Sequence, residues 1–256
     1  MTETSEQLTE KAAKRFNESL QLVQEGKLEE ALESLKETEK IAREAENDAV
    51  LLHALKSKSQ ILETLGRLDE ALETYTFALK INEGLLETDP KNDLYLTLFQ
   101  INLNNIGNLG NLFRKTGNFQ ASKQSYETGL EFCQKRVKYQ PQSNYNQMYC
   151  GNTFNNLGEL LAGMGQNEEA KENYEKSLDI SEKLLTDFPG DFEYLSDKVM
   201  TLNNLGTLFS EEGKKAEARE NFEKALKILE GLSKNFPENQ RIKEELSLTQ
   251  EMLDVL

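Results

Sequence analysis

The stretch FNNLGELLAGMGQNEEAKENYEKSL (Phe154–Leu178) decides the fold class. Phe154, Leu157 and Leu161, then Tyr174 and Leu178, recur at steps of three and four, the period of a helix that buries one stripe. Between the two runs lies Gly165, and glycine reaches φ > 0 at little cost, so it ends a helix in a tight turn. Gly158 and Ala170 fall where two such helices approach each other. A larger side chain at either place would force them apart, at roughly 1–3 kcal/mol. The stretch reads helix, turn, helix.

Working outward, the same arrangement returns along the chain: Gly26…Ala31…Leu35, Gly66…Ala71…Tyr75, Gly117…Ser122…Tyr126 and Gly213…Ala218…Phe222. The pattern glycines are 40, 51, 48 and 48 residues apart. Pro90, Pro141, Pro189 and Pro237 each fall 24 residues after a pattern glycine, and they are all the prolines of the chain. Proline cannot sit inside a helix and biases the residue before it away from helical angles. Each interval between glycine and proline therefore holds one helix of about 20 residues, near 30 Å long at ~1.5 Å per residue. From Pro90 to Gly117 there are 27 residues, so the first helix of that unit gains about three.

Composition agrees. Of 256 residues, 40 are Leu and only 13 are Val or Ile, with no Trp and four Pro. So few β-branched residues beside so much Leu, Glu, Lys and Ala argue against a sheet. A formal net charge of −15 repels a nucleic-acid duplex and an anionic bilayer, so neither is expected as a partner. The first residues lack a basic segment followed by an apolar run, and no apolar stretch approaches the ~20 residues of a membrane helix. Cys133 and Cys150 cannot build a disulfide framework; they read as small buried hydrophobes in a reducing cytoplasm.

Phe154-x-x-Leu157-Gly158-x-x-Leu161…Ala170-x-x-x-Tyr174 resembles the tetratricopeptide repeat signature. Leu202-x-x-Leu205-Gly206-x-x-Phe209…Ala218-x-x-x-Phe222 repeats it, as does Ile106-x-x-Leu109-Gly110-x-x-Phe113…Ser122-x-x-x-Tyr126. The first two units carry Ser19 and Ser59 where the others have Gly. Units of about 48 residues exceed the usual 34 by about two turns per helix, which keeps the buried stripe facing inward. The resemblance implies an all-α, right-handed superhelical solenoid of about five antiparallel helix pairs plus a C-terminal capping helix. One solenoid is expected over 1–256, with repeats near 5–46, 47–89, 90–140, 141–188 and 189–236 and the capping helix at 238–256. The cap follows from the need to cover the last open core. Leu248, Met252 and Val255 form a second stripe on it, read as a broad capping face or as a surface for homodimerisation.

Catalytic chemistry is not expected. His53 is the one histidine, no Cys/His cluster has metal-ligand spacing, and no Gly-rich phosphate loop is present, so neither metal nor cofactor is expected. The informative pattern is amide-rich. Gln100, Asn104, Asn108 and Asn111 fall on one helical face, which Arg114 and Lys115 extend toward the turn. The matching stripe of the next first helix holds Asn152, Asn155, Asn156 and Glu159; the last holds Asn203, Asn204 and Thr207. Asn108, Asn156 and Asn204 each precede a close-packing glycine by two residues. Asn is a mediocre helix residue, whereas its amide offers a donor and an acceptor that match a peptide backbone. A plain polar wall is the alternative reading of the same residues. The resemblance implies that these first helices line a concave groove holding an extended or helical segment of another protein, one the acidic surface favours as neutral to basic. The expectation is thus a non-catalytic, cytoplasmic interaction scaffold. The alternative is a regulatory or sensor subunit that binds a signalling peptide or self-associates through its terminal helix.

Overall fold

The computed structural model describes residues 3–256. Among them are eleven helices and no strand: α1 Ser5–Gln24, α2 Leu28–Glu44, α3 Asp48–Thr64, α4 Leu68–Thr88, α5 Asp93–Lys115, α6 Phe119–Tyr139, α7 Asn144–Gly163, α8 Asn167–Asp187, α9 Phe192–Glu211, α10 Lys215–Asn235 and α11 Gln240–Asp254. The glycine and proline ruler is obeyed. Gly26, Gly66, Gly117, Gly165 and Gly213 are the glycines with positive φ, between 74° and 81°, and each closes the turn inside a pair. All four prolines lie in the connections between pairs. Helix α5 has 23 residues against 20 in α7 and α9, the three that the longer interval predicts.

Helix starts divide into two kinds. Several helices, mostly the first of a pair, begin with a side-chain cap: Thr4, Asn47, Ser143, Asp191 and Asn239 each accept the amide of the residue three further on. Helices α2, α4, α8 and α10, which follow the glycine turns, have no such cap. Instead Glu29 and Glu30, Asp69 and Glu70, Glu168 and Glu169, and Glu217 sit in their first turns, where the helix dipole favours negative charge. The acidic residues that follow the glycine turns are therefore partly helix-start chemistry.

The chain forms two compact units, dividing between Phe113 and Arg114 near the end of α5. In the first, α1 packs on α2, α2 on α3 and α3 on α4, and α1 also touches α3. Its core joins Ala12, Ala42, Leu52, Leu55 and Ala78 to Leu98 at the start of α5. In the second, α6 to α11 pack each on the next, and α7 also touches α9. Val199, Leu202, Ala225, Leu229 and Leu232 form a core there that Ile242 of α11 closes.

Close approach within a pair depends on missing side chains. A Cβ added at Gly206 would lie 2.5 Å from Cε1 of buried Phe222, and one at Gly158 2.7 Å from Cε1 of Tyr174. The rings of α8 and α10 rest on the bare backbone of α7 and α9. In the first unit Ser19 and Ser59 fill the equivalent places, fully buried, their hydroxyls turned back onto the Phe16 and Leu55 carbonyls.

One expectation is overturned. Cys133 of α6 and Cys150 of α7 are not two separate thiols; they are bonded to each other, with their Cα atoms 5.9 Å apart. The antiparallel α6–α7 pair brings together two residues nearly equidistant from the Pro141 connection.

Candidate functional site

The sequence-selected amides separate into three groups. On α5, Asn104 and Asn108 are exposed and Gln100 and Asn111 half-buried, all within the first unit; Lys115, at the helix end, is exposed. On α7 and α9, Asn152, Asn156, Asn203 and Asn204 are half-buried, and Thr207 is exposed. Asn155 is fully buried and does not belong to an open wall. Its Oδ1 accepts a hydrogen bond from Nδ2 of Asn204 at 3.0 Å, tying α7 to α9. Asn203 makes the next tie, donating from Nδ2 to Oγ1 of Thr249 on α11 at 2.8 Å. Part of the asparagine recurrence is thus explained by amides that join the first helices of successive pairs.

Beside the first of these ties the α7–α9 wall opens into a cavity of about 570 Å3, lined by Arg114, Glu159, Tyr174, Asn204, Thr207 and Glu211. Tyr174 reaches it from α8, its ring lying beneath Gly158. Burial, with the Glu159 charge adding to it, raises the Tyr174 phenol far above its ordinary pKa, so the floor is a neutral hydroxyl. The guanidinium of Arg114 donates to Oε1 of Glu159, an ion pair half open to solvent. Glu211, one turn beyond Thr207, is exposed and has no basic partner among the described residues.

Sequence reasoning did not mark Asp197, Tyr174 or Glu211 as part of this wall. Asp197, Asn204 and Glu211 stand seven residues apart on α9 and share a face, which is the signal that finds them. The Asp197 carboxyl is pushed up to about 6 from its ordinary 3.8, first by burial and then by the negative charges of Glu193 and Asp191; a hydrogen bond from Asn152 and the charge of Arg241 oppose this. Because the folded-state pKa lies above the unfolded one, ionised Asp197 destabilises the fold above pH 6, and the penalty vanishes below the ordinary carboxylate range. Asp197→Asn keeps the acceptor for Asn152. It is expected to raise stability at pH 7 by about 1–2 kcal/mol, below the ~3 kcal/mol that a two-unit shift allows. Thermal melting of both forms from pH 7 to pH 4 checks this. A gain that persists unchanged at pH 4, or no gain at pH 7, contradicts the assignment.

Among the described residues no group of three His, Cys, Asp or Glu is placed to hold a metal ion, and no helix is long and apolar enough to cross a membrane. His53 packs beside the Phe16 ring, with centroids 6.2 Å apart, and burial lowers its pKa, so it is neutral at pH 7.

Stacked antiparallel helix pairs with a solvent-open wall along their first helices define a helical-repeat protein. Tetratricopeptide repeat models match residues 151–190 and 199–237, and, in a second variant, 53–84 and 104–136, together more than half of the chain. The chain belongs to the tetratricopeptide repeat family, whose fold serves as a protein–protein interaction scaffold. Comparison with curated proteins finds no match. Among solved structures it is similar to BtubC (BKLC) from P. vanneervenii, with 21% identity and a TM-score of 0.50 over 91% of this chain and 93% of that one. It is also similar to the nearly identical repeats of a Podosopora anserina kinesin light chain, with 17% identity and a TM-score of 0.48 over 88% and 97%. MamA from Desulfovibrio magneticus RS-1 matches at 20% identity and a TM-score of 0.44 over 85% and 94%. At these identities the likeness concerns the fold.

Proposed function

We propose that the chain is a non-catalytic scaffold that holds a segment of another protein against the α7–α9 wall. The observation that carries this reading is the open cavity between Glu159, Asn204 and Glu211, where polar groups of two helices and a neutral phenol converge. Such a wall offers a partner backbone both donors and acceptors. Asn152, Asn156, Glu159, Asn204 and Thr207 are the residues we assign to it, and the exposed Asn104 and Asn108 of α5 supply a second patch of the same chemistry. Asn155 is left out because it is fully buried, with its Oδ1 bonded to Asn204 inside the molecule. The cytoplasmic expectation drew in part on two free thiols; a disulfide forms in oxidising surroundings, so that part of its support is gone.

Alanine at Asn204 is a poor test, since it would orphan the buried Oδ1 of Asn155 and cost stability as well as contacts. Thr207→Trp is cleaner, because Thr207 is exposed and its hydroxyl bonds only to the Asn203 carbonyl of its own helix. A protein enriched from the native extract by the wild-type chain is expected to bind Thr207→Trp at least about tenfold more weakly, a loss of ~1.4 kcal/mol. Arg219→Glu, exposed on α10, is expected to bind it as the wild type does. Equal binding by Thr207→Trp, with its melting temperature unchanged, would move the interaction off this wall.

A further inference from the structure

The charges around the cavity narrow the chemistry of what it holds, on the reading that this wall binds a partner. Two carboxylates face it, from Glu159 and Glu211, against one guanidinium, that of Arg114. Arg114 is already bonded to Glu159, while Glu211 is unmatched. A cation entering the cavity therefore gains Glu211 and the second oxygen of Glu159 without breaking an ion pair. An anion would meet Glu211, with the one guanidinium among the described lining residues already bonded to Glu159. The lining is also about as polar as apolar, unlike the predominantly apolar pockets that hold small molecules. Its apolar part, Leu208 with Ala162 and the Tyr174 ring, suits the methylene stem of a long basic side chain.

The terminal helix continues the wall with different chemistry. The 48-residue period that relates Gly158 to Gly206 places Leu248, Met252 and Val255 of α11 in register with Met200, Asn204 and Thr207 of α9. The Asn203–Thr249 hydrogen bond holds the two helices side by side. The second stripe of α11 therefore lies on the face that in α9 borders the cavity, and Leu248 and Val255 are 53% and 84% exposed there. We propose that the α7–α9 cavity receives one lysine or arginine side chain of a partner protein, whose neighbouring apolar residue rests on Leu248 and Met252. The acidic surface, −15 over the chain, would speed the encounter with such a basic segment, more so at low salt.

The test uses the full chain and two probes, N-acetyl-arginine methylamide and N-acetyl-glutamate methylamide, followed by amide chemical shifts. The arginine probe is expected to shift the side-chain amide of Asn204 and the backbone amides of Thr207 and Leu208 saturably; the glutamate probe is expected to leave them in place. Glu211→Gln removes a charge from an exposed side chain that bonds to nothing, so folding is not at stake, and the arginine response should weaken about tenfold. No saturable response, equal responses to the two probes, or full binding by Glu211→Gln each overturns the proposal. A partner that is lost by Thr207→Trp but kept at full strength by Glu211→Gln would leave the wall as the binding face and refute only the basic side chain. Concentration-dependent dimerisation that Leu248→Glu abolishes would assign the apolar stripe to a second copy of this chain and overturn that half of the proposal.

Discussion

Gly206→Ala is expected to destabilise the second unit by about 2 kcal/mol, although alanine is the better helix former by about 1 kcal/mol. The three atoms nearest to an added Cβ, at 2.5, 2.7 and 2.8 Å, all belong to the ring of Phe222. That ring is 1% exposed, so it cannot swing into solvent. Relief requires α9 and α10 to separate, which loosens the Val199–Leu229 core on one side and the cavity wall on the other. The melting temperature of this unit should fall by about 4–8 °C. Phe222→Leu in the same chain should recover part of the loss, because the smaller side chain vacates the space the methyl needs. Gly231→Ala on α10 supplies the opposite sign: nothing lies within 4 Å of its added Cβ, so a gain of about 0.5–1 kcal/mol is expected. Differential scanning calorimetry of the three variants decides the matter. A stabilising Gly206→Ala would mean that the helices already stand far enough apart to hold a side chain, as they do around Ser59.

The fold was legible because glycine and proline act locally. A pattern glycine closes its turn whatever packs around it: among the described residues the glycines with positive φ are those five, joined by Glu46 in the α2–α3 turn. The extra three residues of α5 were equally readable, as arithmetic between Pro90 and Gly117. The candidate wall was legible only in part. Periodicity puts Asn155, Asn156 and Asn203 on a first helix, but whether an amide meets solvent or a neighbouring helix depends on residues 46 to 49 positions away. Asn155 is buried with its Oδ1 against Asn204 for that reason, while Asn156, adjacent in sequence, stays partly open. Glu211, the last residue of α9, carries no such signal in the sequence, because its significance comes from what it lacks among the described residues, a basic partner. The stripe on α11 was visible, yet its meaning required the 48-residue register to be carried past Pro237.

Reduction of the Cys133–Cys150 bond is the second large effect expected, and it follows from the length of chain that the bond closes. The two residues are 17 apart, and freeing a loop of that size restores about 3 kcal/mol of denatured-state entropy. The bond joins α6 to α7 beside another tight contact, where a Cβ at Gly129 would meet the Tyr149 hydroxyl at 2.8 Å. Losing the link should therefore be felt at the α6–α7 pair before it is felt in α9 to α11. Because two units need not unfold together, a single midpoint is a poor measure, and hydrogen exchange resolved by segment is the suitable one. With a thiol reductant, amides of α6 and α7 should exchange faster by about two orders of magnitude, the equivalent of ~3 kcal/mol. Cys133→Ser with Cys150→Ser should show the faster rates with or without reductant. Alkylation of the denatured, unreduced chain should label neither cysteine. Two labelled thiols, or exchange rates indifferent to reductant, would show that the pair stays reduced and would restore the argument for a reducing compartment.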